Sequence, residues 1–183
     1  AVCAAILYSH LNTRNIHDTF IFNSQLEDLG KWYRQLLSES TGKKDQRCYT
    51  PTVSIGSADL HSIGQLYLGG PDDKFTTFVT IKKNNYDFIV PPEFDFLVSG
   101  INKRRISQIN EFIYSGVKRA YIKKKIPFVE FSLEKISEEV LGEFMTEKMI
   151  ETVFLGHLMG VNVFDQPAVE LYKKETRRLL LKR

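Results

Sequence analysis

Cysteine is scarce in this 183-residue chain, which contains only Cys3 and Cys48. Two cysteines that far apart have no metal-ligand spacing and cannot staple a disulfide-rich fold, so they argue against a zinc cluster and against a small secreted scaffold. We therefore expect a reduced, cytoplasmic protein, and we predict neither a metal site nor a cofactor.

The sequence also lacks a large excess of either positive or negative charge. Lys and Arg number 25 against 22 Asp and Glu, a formal net charge of +3, and this excess is too small to indicate a nucleic-acid partner by itself. The basic stretches "NKRR" (102–105) and "YIKKK" (121–125) lie on predicted helices without interleaved aromatic residues. A solvated helix face explains them better than a nucleic-acid-binding surface.

Long hydrophobic runs and a leader sequence are missing as well. The opening "AVCAAILYSHLNTRN" has no basic segment, and its apolar run is too short to span a bilayer. We expect neither a signal peptide nor a membrane partner. The Ala-rich opening is typical of the last turns of a helix that lacks a cap or a methionine in front of it, which suggests a chain cut from a longer protein.

Hydrophobic residues, 43% of the chain, are enough for the core of one domain. Along the chain, short β-branched or aromatic runs alternate with longer segments that have helical periodicity. Strands are predicted at 19–22, 52–56, 75–81 and 126–131, and helices at 24–41, about 104–124, 137–160 and about 166–182. Strands separated by helices indicate an α/β fold of three layers, a parallel sheet flanked by helices on both faces.

Two of the predicted helices carry further expectations. The helix at 24–41 places a set of large apolar residues on one face and ends at Gly42; the set is Leu26, Leu29, Trp32, Tyr33 and Leu36. The helix at 137–160 has Ser137 as its candidate N-cap, and its apolar stripe at 143–159 is expected to be core or a dimer contact.

His61 stands out because it lies near Asp59 and Ser62 in "GSADLHSIGQLYLGGPDDK" (56–74), a segment with glycine at both ends. Such glycines argue against an ordinary helix, and the loop after a parallel strand is where ligands bind. Two interpretations fit these residues: a functional histidine in a loop, or a surface histidine beside a helix start that Asp59 and Ser62 cap.

Three segments, taken together, resemble phosphoglucose isomerases in their order and spacing. They are "WYRQLLSESTGK" (32–43), the segment 56–74 and "FDQPAVELYKK" (164–174), and the resemblance extends over nearly the whole chain. It implies the second of that family's two sugar isomerase (SIS) domains, a flavodoxin-like parallel sheet. By this resemblance, residues 1–160 form the SIS domain and residues 161–183 its C-terminal active-site segment and helix.

The resemblance implies roles for four residues. Glu39 matches the base that moves a proton between two sugar carbons, and His61 matches the ring-opening group, which in the family comes from a neighbouring subunit and so implies a homodimer. Lys173 matches a cation near the ring oxygen, and Gln166 a contact with a substrate hydroxyl. Without the resemblance, Glu39 is an ordinary helix-terminal acid and Lys173 a solvated lysine.

Some parts of the family's pattern do not occur in this sequence. The first domain's Gly-Ile-Gly-Gly-Ser phosphate loop and its arginine are missing, and Ala168 and Tyr172 stand where the family commonly has glycine. The resemblance thus implies interconversion of glucose 6-phosphate and fructose 6-phosphate by a longer protein, with half of the active site in this chain. The alternative is a regulator's SIS module that senses a sugar phosphate without converting it.

Overall fold

A four-stranded parallel sheet forms the centre of the computed structural model, which describes residues 1–43, 47–94 and 100–181. Its strands are β1 Ile16–Ile21, β2 Thr50–Ile55, β3 Lys74–Lys83 and β4 Phe128–Lys135. Their order in the sheet is β2-β1-β3-β4. The predicted four strands and the parallel α/β fold are confirmed.

Strand β1 begins three residues earlier than predicted. The prediction started too late because the first residues of the strand include polar side chains, which are buried in the structure. His17 and Asp18 are fully buried, and each finds a partner on a neighbouring strand. His17 Nε2 lies 2.8 Å from Thr77 Oγ1, and Asp18 Oδ1 accepts a hydrogen bond of 2.9 Å from the Ser54 hydroxyl. Residue types that are depleted in strands therefore occupy the strand, held by side-chain hydrogen bonds across the sheet.

Within the described residues, six α-helices surround the sheet. They are α1 Val2–His10, α2 Glu27–Thr41, α3 Ala58–Gly69, α4 Ile106–Lys124, α5 Glu138–Met159 and α6 Val169–Leu180, with short 3₁₀ turns at Ser24–Leu26 and Pro92–Phe94. The predicted cap of α5 is confirmed, since Ser137 Oγ accepts from the Val140 N–H. Helix α6 begins three residues later than predicted.

The expectation that the glycine-flanked segment 56–74 is not an ordinary helix was wrong, since α3 forms there. The glycines lie at its boundaries: Gly56 precedes the helix, and Gly69 and Gly70 end it. At Gly56 a Cβ atom would lie 2.7 Å from the Phe22 ring, so glycine permits a close approach of the residues that follow β1 and β2. His61 is therefore in the first turns of a helix and not in a loop.

The helices cover the two faces of the sheet in separate groups. We call the side packed by α1, α2 and α5 the α2 face, where Tyr33, Leu37 and Leu155 are fully buried. The opposite side, the α3 face, is packed by α3 and α4 around Phe78 and Tyr121. The buried centre of α2 lies at Tyr33 and Leu37, one residue along from the predicted Leu36, which is partly buried.

A buried polar group joins α2 to α5 on the α2 face. The Tyr33 hydroxyl donates to Glu151 Oε1 at 2.6 Å, and Lys148 Nζ lies 2.9 Å from Glu151 Oε2. Lys148 is 1% and Glu151 4% exposed, and the ammonium sits 3.7 Å from the centroid of the Phe131 ring. Removing one partner of such a pair leaves a buried charge unpaired, which typically costs about 3–5 kcal/mol, so this group fixes α2 against α5.

Among the described residues, no helix combines the length and the apolar character needed to cross a membrane. No group of three or more His, Cys, Asp or Glu side chains among these residues is arranged to hold a metal ion.

Candidate functional site

A cleft of about 820 Å³ opens between the C-terminal end of α2 and the segment that follows α5. Ser38, Glu39 and Lys43 line it from one side, and Asp165 and Gln166 line it from the other. Two of the four predicted site residues, Glu39 and Gln166, therefore share one cleft although 127 positions separate them in the sequence.

Both carboxylate oxygens of Glu39 accept a hydrogen bond from a side-chain amide. Gln35 Nε2 donates to Oε1 and Gln166 Nε2 donates to Oε2, each at 3.0 Å. Glu39 itself is half-buried near the end of α2. Two donors fix the plane of the carboxylate, because rotation about its last bond would break both contacts.

Lys43 ties the end of α2 to the opposite side of the cleft. Its ammonium donates to the Glu39 carbonyl oxygen at 3.2 Å, lies 3.1 Å from Asp165 Oδ1 and also donates to the Asp165 carbonyl oxygen. The second carboxylate oxygen of Asp165 accepts from Asn162 Nδ2 at 3.1 Å. The residue before Gln166 is thus held by two side chains.

Two glycines allow the chain to return toward α2 after α5. Gly160 ends α5 with a φ of +70°, a left-handed conformation that most other residues adopt at a cost. At Gly156, a Cβ atom would overlap the Val163 side chain, so glycine lets the returning segment lie directly on the helix. The position of Gln166 against Glu39 depends on this close return.

The predicted helix position of Gln166 is corrected. Because α6 begins at Val169, Gln166 lies in the turn before the helix, where its carbonyl oxygen accepts from the Val169 N–H at 3.3 Å. The residues between them, Pro167 and Ala168, line the cleft. The amide of Gln166 is therefore presented by a turn and not by the first turn of a helix.

Lys173 lies on α6 and makes a different contact. Its ammonium is 3.0 Å from Glu170 Oε1, one turn earlier on the same helix, and this bond together with the lysine charge holds the pKa of Glu170 below its ordinary value. The Lys173 side chain is 41% exposed, and α6 has no buried residue. The structure brings Lys173 to the same part of the molecule as Gln166 but not into contact with Glu39.

The structure does not bring His61 to this cleft. His61 lies on α3, on the α3 face of the sheet, whereas Glu39 lies on the α2 face. Its side chain is exposed and has no hydrogen-bond or ion-pair partner among the residues that the structure describes. One chain alone therefore does not place the imidazole beside the carboxylate.

Asp59 takes part in the local turn and not in a contact with His61. Its Oδ2 accepts from the Ile55 N–H at 2.7 Å, and its Oδ1 accepts from the Ser62 hydroxyl at 3.1 Å. These bonds join the end of β2 to the first turn of α3. They agree with the alternative interpretation in which Asp59 and Ser62 organise a helix start.

Sequence reasoning missed three residues that hold the site together: Gln35, Lys43 and Asp165. Gln35 and Glu39 are four positions apart in a predicted helix, a spacing that puts both on one face and signals a contact. Lys43 and Asp165 lie in the segments that carry the resemblance, but no local pattern indicates their contact, because the ion pair joins positions 122 residues apart.

Comparison with known proteins extends these observations. No family model matches the chain. The chain is 34% identical over 174 residues to a probable glucose-6-phosphate isomerase of Methanococcus maripaludis, covering 95% of this chain and 38% of that protein. It is 36% identical over 170 residues to the glucose-6-phosphate isomerase of Methanocaldococcus jannaschii, covering 89% of this chain and 41% of the relative.

The chain is related to glucose-6-phosphate isomerases over part of their length. It spans about two fifths of these curated relatives. Among solved structures, a hypothetical protein from Thermus thermophilus superposes with a TM-score of 0.91 at 30% identity, covering 98% of this chain and 44% of that one. A glucose-6-phosphate isomerase from Chlamydia trachomatis superposes with a TM-score of 0.80 at 18% identity, covering 98% and 38%. The predicted fold class is thereby confirmed.

Proposed function

We propose that this chain is the C-terminal part of a glucose-6-phosphate isomerase and that, with the rest of such a protein, it interconverts glucose 6-phosphate and fructose 6-phosphate. One observation carries the proposal: the Glu39 carboxylate is held at a cleft by two amide donors, in a chain related to these enzymes. We assign residues 1–160 to the second SIS domain and residues 161–183 to its active-site segment.

In this proposal Glu39 is the base that moves the proton. It removes the proton from C2 of the open-chain aldose; the electron pair left behind forms the C1–C2 double bond of a cis-enediolate, and the C1 carbonyl π bond breaks with its electrons going to O1. The hydroxyl proton of O2 then passes to O1, the O2 electrons form the C2 carbonyl, and the C1–C2 pair takes the proton back from the Glu39 carboxyl group at C1, which gives the ketose. A carboxylate whose plane is already fixed needs no reorientation before each transfer, and such positioning lowers the barrier.

Gln166 and Lys173 have supporting roles. Gln166 Nε2 touches Glu39 and borders the cleft, so its amide is suited to bind a sugar hydroxyl beside the reacting carbons. Lys173 pairs with Glu170, and an exposed pair of this kind adds little to stability because water screens the two charges. A bound sugar phosphate therefore displaces that pair readily, and the ammonium then assists ring opening.

His61 requires a second copy of the chain in this proposal. Its exposed imidazole faces away from the cleft of its own chain, on the opposite face of the sheet. We assign it to ring opening in the cleft of a partner, which makes the functional form a homodimer. The substrate contributes the negative phosphate, whose binding loop belongs to the rest of the protein.

The sensor alternative is less well supported. A sensing module needs a sugar-phosphate cleft but no carboxylate directed at the reacting carbons. The paired donors on Glu39, one from α2 and one from the segment after α5, have no purpose in binding an anion, since a carboxylate repels a phosphate.

The experiment compares residues 1–183 alone with a chimera in which they replace the matching segment of the Methanocaldococcus jannaschii relative. We expect negligible turnover by residues 1–183 alone, since oriented binding supplies roughly 7–11 kcal/mol of many catalytic barriers. The chimera is expected to convert glucose 6-phosphate in a coupled assay. A folded chimera that binds fructose 6-phosphate without converting it would instead support the sensor.

A further inference from the structure

Lys43 occupies a position that the proposed reaction does not explain. Its ammonium bonds the Glu39 carbonyl oxygen, the Asp165 carbonyl oxygen and Asp165 Oδ1. The side chain is only 13% exposed, against 47% for Lys31 on α2. A lysine this enclosed, with three oxygen acceptors, is not a solvated surface charge.

These contacts close a ring that begins and ends at Glu39. From the Glu39 carbonyl oxygen the ring runs through Lys43 to Asp165, continues along the chain to Gln166, and returns from the Gln166 amide to Glu39 Oε2. Asn162 holds the other oxygen of the Asp165 carboxylate, and its own Oδ1 accepts from the Phe164 N–H at 3.0 Å. The short segment before Gln166 is thus braced at both ends.

The local backbone of α2 aims Lys43 at this segment. The helix ends at Thr41, and a Cβ atom on Gly42 would lie 2.6 Å from the Ser38 carbonyl oxygen. Directly after this glycine, the Lys43 N–H bonds the Thr41 carbonyl oxygen at 2.9 Å. This turn directs the lysine side chain across the cleft.

We propose that Lys43, through its ion pair with Asp165, is a positioning residue that sets the Gln166 amide against Glu39. The inference rests on the proposed function and adds to it a residue that acts through another. The Lys43–Asp165 pair and the Gln166–Glu39 bond both involve an ionised partner, but Lys43 is only 13% exposed and contacts Asp165 at two oxygen atoms, whereas Gln166 holds Glu39 through one bond. Lys43 therefore supplies the stronger constraint on the returning segment.

The kinetic experiment is a double-mutant cycle in the chimera. Lys43→Met keeps the length of the side chain and removes its charge, and we expect kcat to fall about 10- to 100-fold, because misplacement by an ångström costs up to about 10² in rate. In a Gln166→Ala background the same change is expected to alter kcat less than about 2-fold, since the residue that Lys43 positions is gone. Lys31→Met is the matched control and should leave kcat unchanged.

Two kinetic results would overturn the inference. One is a Lys43→Met chimera with the kcat of the parent. The other is an equal loss in the parent and in the Gln166→Ala background, which would show that Lys43 acts on the fold or on the substrate directly. Far-UV circular dichroism of each variant identifies a general loss of structure.

A second measurement uses residues 1–183 and needs no turnover. The side-chain amide of Gln166 is followed by ¹⁵N–¹H NMR spectroscopy, and we expect Lys43→Met to move its signals toward those of a free glutamine, while Lys31→Met leaves them in place. Unmoved signals would contradict the inference. If the chimera is inactive but the signals move, the proposed function fails and the positioning contact stands. If the chimera is active and neither kcat nor the signals respond, the inference alone fails.

Discussion

The two faces of the sheet differ in how completely their candidate groups are assembled. On the α2 face, Glu39 is held by donors from two segments and the surrounding residues are tied to one another. On the α3 face, His61 stands exposed on α3 without a partner among the described residues. One chain therefore positions the Glu39 carboxylate by itself, whereas in the function we propose His61 acts in the cleft of a second copy.

Inside the sheet, the neighbouring residues His17 and Asp18 of β1 point to opposite faces, and both are fully buried. Burial lowers the pKa of His17 to about 3, with a further contribution from the Lys148 charge, so this histidine is neutral. Burial raises the pKa of Asp18, whose Oδ2 has no partner among the described residues. Both residues serve the core, whereas His61 is exposed and open to a ligand.

The largest effect is expected from Glu39→Gln in the chimera. Glutamine keeps the size of the side chain but cannot take up the proton, so we expect interconversion to fall by about 10⁴ or more, the upper end of the range for an acid–base group. The measurement is the coupled assay together with exchange of the C2 proton in heavy water. Substrate binding and the circular dichroism spectrum should stay close to those of the parent.

Glu27→Gln is the matched control for Glu39→Gln. Glu27 is an exposed acid at the start of the same helix, where it pairs with Lys31, so this change removes one charge from α2 without touching the cleft. If Glu39→Gln retained C2 exchange at the parent rate, another group would be the base and the difference between the two faces would lose its functional meaning.

The sequence predicts a structural feature well when the residues that produce it lie close together in the chain, and poorly when they are far apart. Ser137 caps α5 as expected, because its partner lies three residues away. The start of β1 was missed, since Asp18 is a poor strand former whose carboxylate is held by the Ser54 hydroxyl, 36 residues later. Helix α3 was missed because glycine is a poor helix former, whereas here the flanking glycines only bound the helix.

The candidate site shows the same limit. The resemblance predicted Glu39 and Gln166 separately, each from its own segment. Their contact depends on the return of the chain over Gly156 and on the pairing of Lys43 with Asp165. Neither is visible in a local pattern, because both join segments that are far apart in the sequence. Only packing of α2 against α5 brings them together.

A smaller and more selective effect is expected from His61→Ala. In the chimera, turnover of the cyclic sugar phosphate should fall by about 10² to 10⁴, the usual range for an acid–base group. The open-chain form should be slowed far less, since Glu39 and Gln166 remain in place. The measurement compares a cyclic substrate with an analogue that cannot close its ring.

The control for His61→Ala is Gln65→Ala, an exposed position one turn further along α3. It is expected to leave both substrates unaffected. Equal slowing of the cyclic and open-chain forms by His61→Ala would mean that the imidazole acts on the carbon chemistry or holds the dimer together, and its assignment to ring opening would be wrong.

The smallest effect concerns stability and separates the buried histidine from the exposed one. In the unfolded chain His17 takes up a proton below pH 6.5, whereas in the folded chain it stays neutral down to about pH 3. The unfolded state therefore binds more protons in this window, and the free energy of unfolding falls as the pH is lowered, by up to about 1.4 kcal/mol per pH unit. His17→Gln keeps a polar partner for Thr77 and should remove this part of the slope, measured by urea denaturation between pH 4 and 7 (roughly the window set by the two pKa values).

The exposed His157→Gln changes the histidine content equally and serves as control. A His17→Gln variant with the parent slope would show that another buried group, and not this histidine, causes the loss of stability in acid.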